Sequence, residues 1–244
     1  MFKKLFNRLS RSADTAPEQA YDLWAKAYDA QPGNLMLHLD ELVFSALLND
    51  LDIRNNFVTD IGCGTGRHWQ KILDRNPAQL SGYDVSEGML QILQQKFPNA
   101  ITHKLDHGNN LLGTADQSVD LIISTLTIAH IEDPEDALQE WNRILKPSGH
   151  IIITDYHPAA LQKGGKRTFL HGDKQVSIVN HVHSIEKLTQ LAGQLQWQPI
   201  RLEEKAIDES VRSYYEQQNA LSVYKAFLGV PVIYGILFKK NDAT

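Results

Sequence analysis

Strand-then-helix alternation along this chain predicts an α/β fold on a mostly parallel sheet, and three features carry the prediction. Short apolar runs are followed by helical patterns three times: "NFVTDIG" before residues 67–74, "QLSGYDV" before "SEGMLQILQQKF", and "VDLIIST" before "PEDALQEWNRILKPSG". Repeated βα units of this kind give parallel strands. Further apolar runs at "AITHKLD", "HIIITDY", "PIRLEEKAI" and "PVIYGILF" bring the expected strands to seven, the last two pairing antiparallel at one edge. Finally, Gly62, Gly64 and Gly66 alternate directly after the first strand, at the kind of turn where an open parallel sheet binds ligands.

The remaining elements follow in order. The stretch "AYDLWAKAYDAQPGN" reads as an aromatic-rich helix closed by a Pro-Gly turn, and Leu35 to Leu48 reads as a second helix. A turn is expected from Lys146 to Gly149, before the fifth strand. Past Tyr156 the pattern changes: "KRTFLHGDKQVSIVNHVHS" predicts two short strands around a His-Gly-Asp turn, a lid-like insertion before a helix from Ser184 to Gln196. A helix from Asp208 to Phe227 separates the last two strands. No internal repeat or long linker divides the chain, so residues 1–244 are expected to form one domain.

Composition narrows the function classes. With 42% hydrophobic and 22% charged residues, and no apolar run near the roughly 20 residues that span a bilayer, the chain has the character of a globular protein. A formal charge of -5 disfavours nucleic acid as partner. The single cysteine, Cys63, excludes an internal disulfide and a CxxC metal site, which suits a reducing, cytoplasmic compartment. Residues 1–12, "MFKKLFNRLSRS", form a short basic amphipathic segment, too short and too charged for a secretory signal. It reads as a terminal helix, as a weak contact with an anionic membrane surface, or as a segment that resembles a transit peptide.

The glycine spacing is GxGxG, with Arg67 where a dinucleotide fingerprint requires its last glycine, so a pyrophosphate cradle is disfavoured. The stretch "VTDIGCGTG" instead resembles the first motif of class I S-adenosylmethionine-dependent methyltransferases, with Asp60 as the acid before the glycines. The resemblance implies S-adenosylmethionine as cofactor and S-adenosylhomocysteine as product. It assigns Asp60, Gly62, Cys63, Gly64 and Gly66 to the aminoacyl end, and the amides of the turn suit the carboxylate there. Asp84, about 20 residues further on, stands where a carboxylate accepts two ribose hydroxyls. Val85 and Met89 would face the adenine, Asp106 its amino group, and His107 and Gly108 its rim.

The segment from Val119 to Tyr156 is similar to small-molecule members, the type 11 methyltransferase group, in which Ser124 to His130 would border the methyl-transfer site and Ser124 joins the cofactor set. The resemblance covers Phe57 to Tyr156. It implies a Rossmann-like, doubly wound, mostly parallel seven-stranded sheet with an antiparallel edge strand and helices on both faces. Residues 1–50 would cover the cofactor site, 51–156 bind the cofactor, 157–183 form the lid-like insertion, and 184–244 supply the closing strands and helices.

Methyl transfer from a sulfonium is an in-line displacement, so alignment and exclusion of water matter most and a base is optional. His130 and His157, after the fourth and fifth strands, are the candidate catalytic groups; the plain alternative is that each caps a turn or bonds a carbonyl. Tyr21, Trp24 and Tyr28 share one helical face, which means core packing or, for Tyr28, closure over the sulfonium. His181 and His183 project from one strand face without a third ligand, and no metal is expected. The reading is methylation of a small molecule at oxygen, carbon or nitrogen. RNA or protein methylation is the alternative, which predicts a basic groove leading to the cofactor with Lys163, Lys166, Arg167 and Lys174 as its clustered candidates, and a non-catalytic S-adenosylmethionine-binding regulator is another.

Overall fold

The computed structural model describes residues 14–30, 34–105, 111 and 113–242. The basic segment 1–12, the Pro-Gly turn after the first helix, and Asp106, His107 and Gly108 lie outside the described residues.

Two helices lead, α1 (Pro17–Tyr28) and α2 (Leu35–Leu48). The alternating core follows as β1 (Phe57–Ile61), α3 (Trp69–Leu73), β2 (Gln79–Asp84), α4 (Glu87–Lys96), β3 (Ile101–Lys104), β4 (Val119–Thr125), α5 (Pro134–Ile144) and β5 (Leu145–Tyr156). The remainder comprises α6 (Pro158–Gln162), β6 (Thr168–His171), β7 (Lys174–Ser177), α7 (Ile185–Gln194), β8 (Trp197–Ala206), α8 (Arg212–Gln217), α9 (Leu221–Phe227) and β9 (Pro231–Lys240). Polar side chains start the main helices: Asn34, Ser86, Asp133 and Ser184 each accept from an amide of the first turn.

The seven-stranded sheet runs β3-β2-β1-β4-β5-β9-β8. Strands β1 to β5 pair parallel, and β9 pairs antiparallel with both β5 and β8, so the last two strands form the antiparallel edge pair that the sequence predicts. The chain order reverses between β1 and β4, which opens a crevice at their carboxyl ends. The apolar runs are continuous because the strands are buried on both faces. Leu121, Ile123 and Ile152 pack with α2 residues such as Val43 and Phe44, whereas Ile122, Ile151 and Ile153 pack with Leu138 and Trp141 of α5 and Leu188 of α7.

Three local expectations are corrected. The helix expected over residues 67–74 is limited to Trp69–Leu73, because Gly62, Gly64 and Gly66 all hold positive φ and keep the chain in turns until His68. The expected turn at 146–149 is instead a widening inside β5: the register jumps from Leu145 to His150 against Val119 and Leu121, with Ser148 at φ 59°. The helix expected from Asp208 to Phe227 is broken into a 3-10 turn at Glu209–Val211, then α8 and α9, by Asn219 at φ 53°. Asparagine tolerates that left-handed conformation, and a continuous helix cannot contain it.

The inserted strands β6 and β7 pair as a hairpin around His171, Gly172 and Asp173. They pack against α1 through a small separate core of Ala20, Trp24, Phe169 and Ile178, in which the Trp24 and Phe169 rings stack with centroids 4.5 Å apart. Thr15 ties into the same hairpin through its amide to Ser177 O (2.8 Å) and its carbonyl to Val179 N (3.0 Å).

Candidate functional site

A cavity of about 630 Å³ opens at the carboxyl ends of β1, β2 and β4, within the size range of small-molecule sites. Helix α1 roofs it with Tyr21 and Tyr28, held down from one side by Asp22, whose Oδ1 accepts from Ser86 Oγ (2.6 Å) and Gly88 N (2.9 Å) at the start of α4. The hairpin contributes no lining residue and buttresses α1 from behind. A polar recess around Asp60, Thr65, Arg67 and His68 adjoins the cavity, sharing Tyr28, Gly62, Gly64 and Thr125 with it.

The three glycines differ in what they permit. A Cβ on Gly62 would lie 2.0 Å from Thr127 Oγ1, and one on Gly66 would meet Leu93 and Phe97 at 3.0 and 3.2 Å. Only Gly64, at φ 51°, has nothing within 4 Å of that position, so it alone of the three has open space where a side chain would start. Several amides of the turn are already paired. Gly62 N and Cys63 N donate to Tyr83 O, Gly66 N to Cys63 O, and Gly64 N to Asp84 Oδ2 at 2.8 Å. The expected cradle of free amides is therefore not present at these four residues, because the turn satisfies its own backbone.

Polar capacity resides instead in side chains. Asp60 is 4% exposed; its Oδ2 accepts from Trp69 Nε1 (2.9 Å), and its buried Oδ1 has no partner. Burial pushes its carboxyl up to about 6 despite the Trp69 hydrogen bond. Asp84, also raised to about 6 by burial, accepts from Gly64 N and from Ser86 N (2.8 Å) and lines the cavity beside Val85 and Met89. Cys63 lines the recess, and burial pushes its thiol up, which suits a packing role.

Behind the recess stands a buried network that the sequence does not reveal. Asp40 of α2, fully buried, accepts through Oδ2 from Arg67 and from His68 Nε2 (3.2 Å), and through Oδ1 from Thr154 of β5. Burial alone would raise this carboxyl, but the Arg67 charge and the His68 hydrogen bond hold it well below the usual range. His68 is pushed down by burial and by Arg67, so the neutral ring donates to Asp40.

The two candidate histidines separate. His130 lines the cavity. Its Nδ1 meets Val179 O at 2.9 Å, and its Nε2 meets Tyr21 Oη at 2.9 Å and Arg167 Nη1. Burial and the Arg167 charge push it well below its ordinary value, so it is a poor proton acceptor. His157 does not line the cavity: it caps α6 through Nδ1 to Ala159 N (3.1 Å) and pairs with Glu204 Oε1 (2.7 Å). The candidate catalytic role of His157 is thereby corrected to that of a cap.

Ser124 is likewise absent from the cavity wall: it is fully buried with Oγ unpartnered, and pleating turns its neighbour Thr125 to the wall instead. The aromatic stripe divides, with Trp24 in the small core and Tyr21 and Tyr28 on the cavity. His183 Nε2 bonds Ile131 O (2.8 Å), and its ring stacks on that of His181 with centroids 6.4 Å apart. Arg167 is not part of a basic surface. It is 4% exposed, paired with Asp155 and packed on the Tyr156 ring at 4.3 Å. Sequence reasoning missed Asp40, Tyr21 as a wall residue, and Leu126, whose left-handed φ of 55° beside the cavity has no local motif to announce it.

Comparison with known proteins agrees with this geometry. Residues 59–153 match a family described as "Methyltransferase domain". UbiE, a ubiquinone/menaquinone biosynthesis C-methyltransferase of Campylobacter jejuni, is 30% identical over 114 residues, 44% of this chain and 47% of that protein. A demethylmenaquinone methyltransferase of Bacteroides fragilis is 32% identical over 146 residues, 57% of this chain and 59% of that one. The chain thus spans about half the length of the curated relatives it matches. The crystal structure of an S-adenosylmethionine dependent methyltransferase from Mesorhizobium loti shares the fold, with a TM-score of 0.63 at 16% identity over 81% of this chain and 97% of that one. The matched segment runs from β1 into β5, through both halves of the sheet that meet at the cavity, and it is this segment that is similar to the methyltransferase domain family.

Proposed function

We propose that this protein transfers a methyl group from S-adenosylmethionine to a small-molecule acceptor. The observation that carries the reading is the buried, unpartnered Asp60 Oδ1 beside the glycine turn, with Asp84 one strand away. An orphaned carboxylate oxygen fits an ammonium, and a second carboxylate on the cavity wall fits a pair of hydroxyls, which is the donor set of this cofactor. When bound, the cofactor supplies an electrophilic methyl on a sulfonium. Asp60 would hold its ammonium, Asp84 its ribose, and Val85 and Met89 its base; Gly64 leaves room beside them. Tyr21 and Tyr28 close the roof and exclude water, and Tyr28 offers a π face to positive charge. The relatives named for menaquinone and ubiquinone biosynthesis support a small-molecule acceptor, as does the absence of Lys and Arg from the described wall of the main cavity. No helix among the described residues is long and apolar enough to cross a membrane. A cytoplasmic setting is part of the same proposal, on the single cysteine.

Calorimetric titration with S-adenosylmethionine, S-adenosylhomocysteine and NAD tests the reading. Saturable binding of the first two without the third is expected, and binding of NAD alone would refute it. Asp84→Ala should weaken S-adenosylhomocysteine at least about tenfold, since hydrogen bonds to a charged group contribute about 1.5–3 kcal/mol each. Unchanged affinity in a folded variant would remove Asp84 from the site.

The affinity should also depend on pH. Asp60 and Asp84 titrate near about 6 in the free protein, and both roles require the ionised form. Affinity is expected to be level above that range and to fall below it, by about tenfold per pH unit for each carboxylate that must lose its proton. Asp84→Asn should make the decline shallower. An affinity that stays level through pH 6 and below contradicts both assignments.

A further inference from the structure

The hydrogen-bond polarity around His130 is fixed by two partners that cannot reverse. Val179 O only accepts, so His130 Nδ1 carries the proton. Arg167 Nη1 only donates, so His130 Nε2 offers a lone pair. Tyr21 Oη lies 2.9 Å from the same Nε2, where its hydroxyl can only donate, sharing that lone pair with Arg167, and its oxygen lone pairs are left over. Among the described residues no donor reaches Tyr21 Oη, and Tyr21 lines the cavity. A tyrosine that usually either donates or accepts is here restricted to accepting.

The rest of the wall has the same sign. Glu18, Asp84, Glu132, Asp133 and Asp136 border the cavity without a lysine or arginine in its described lining, and of these Glu18 is answered by Lys104 at 3.0 Å. The same wall carries apolar surface from Leu126, Ile131 and Tyr28, whose ring centroid lies 6.3 Å from that of Tyr21. Resting on the methyltransferase reading, we propose that the acceptor has an apolar body and presents a proton-bearing heteroatom, a hydroxyl or a neutral amine, to Tyr21 Oη, and that carboxylates are excluded. Tyr21 is the specificity-determining contact. His130 and Arg167 are positioning residues, acting through the tyrosine proton. Burial raises Tyr21 far above its ordinary value, so it stays a neutral acceptor and the site selects by hydrogen bonding rather than by deprotonation.

Two measurements test this on the full chain. In 15N-histidine-labelled protein, NMR at neutral pH should show His130 neutral with its proton on Nδ1. A proton on Nε2 overturns the proposal. In protein saturated with S-adenosylhomocysteine, calorimetry with phenol and with benzoate should show binding of phenol only, weakened about three- to tenfold in Tyr21→Phe, the loss of one hydrogen bond. Benzoate binding as tightly as phenol, phenol binding indifferent to Tyr21→Phe, or no phenol binding each overturns it. Failure of S-adenosylhomocysteine to saturate the protein at all would instead refute the methyltransferase reading, so the two failures are distinguishable.

Discussion

Asp40→Ala is expected to destabilise the protein by about 3–5 kcal/mol, because removing one partner of a buried ion pair strands the other charge. The substitution leaves the Arg67 guanidinium, the His68 ring and the Thr154 hydroxyl without their shared acceptor, and Arg67 and His68 sit at the recess beside the glycine turn. For a chain of this size the loss corresponds to a fall in Tm of roughly 6–20 °C, readable by differential scanning calorimetry. Pairing it with Arg67→Met should recover part of the loss, since the double variant no longer buries an unanswered cation. A single variant that melts within a degree or two of the parent would show that the network carries little stability.

The pH dependence of stability has two windows of opposite sign. Asp40 is depressed in the folded protein, so its contribution is complete above the unfolded carboxylate value, about 3.9, and is lost as pH falls below it. Asp60 and Asp84 are raised to about 6, so their ionisation costs stability above that value, and protonation relieves the cost as pH falls from about 6 toward about 3.9. In Asp40→Ala the acid-side decline should be shallower, while the window above it is unchanged.

Arg167→Met is expected to cost a comparable 3–5 kcal/mol, with a different local signature. Arg167 and Asp155 are both buried, and Arg167 also donates to Leu126 O (2.8 Å) and to His130 Nε2, so one side chain fastens the base of the hairpin to the ends of β4 and β5. Without it, limited proteolysis should cut first in the hairpin. The His130 pKa should rise, because the adjacent cation that helps suppress it is gone while burial remains. Asp155 keeps two donors, Ala129 N (2.9 Å) and Tyr156 N (2.7 Å), so adding Asp155→Leu to Arg167→Met should not recover the loss, because it strands both amides. An unaltered His130 titration would place the cause of its suppression in burial alone.

Most of the architecture follows from local pattern. Strands buried on both faces must be continuously apolar, helices between them must show one apolar stripe, and this alternation dictates a parallel sheet wherever it occurs. The acid of "VTDIGCGTG" and Asp84 could be placed at the crevice from their positions because strand ends deliver them there whatever the surrounding side chains are. Where an element depends on one residue's backbone conformation, as at Asn219 in the divided final helix or Ser148 inside β5, periodicity gives no warning.

Side-chain roles at the site depended on partners far apart in the chain. His130 and His157 have the same standing in the sequence, each just beyond a strand, yet one meets Tyr21, Val179 and Arg167 in the cavity wall and the other meets Glu204 outside it. Asp40 lies 27 residues from Arg67 and 114 from Thr154, and nothing in α2 marks it as other than a solvated acid. Tyr21 acquires its polarity from His130, 109 residues away. Backbone order is encoded by short-range hydrophobic periodicity, so it could be read from the chain directly. Burial, protonation and hydrogen-bond direction are properties of assembled neighbours, and they exist only once folding has brought those neighbours within contact.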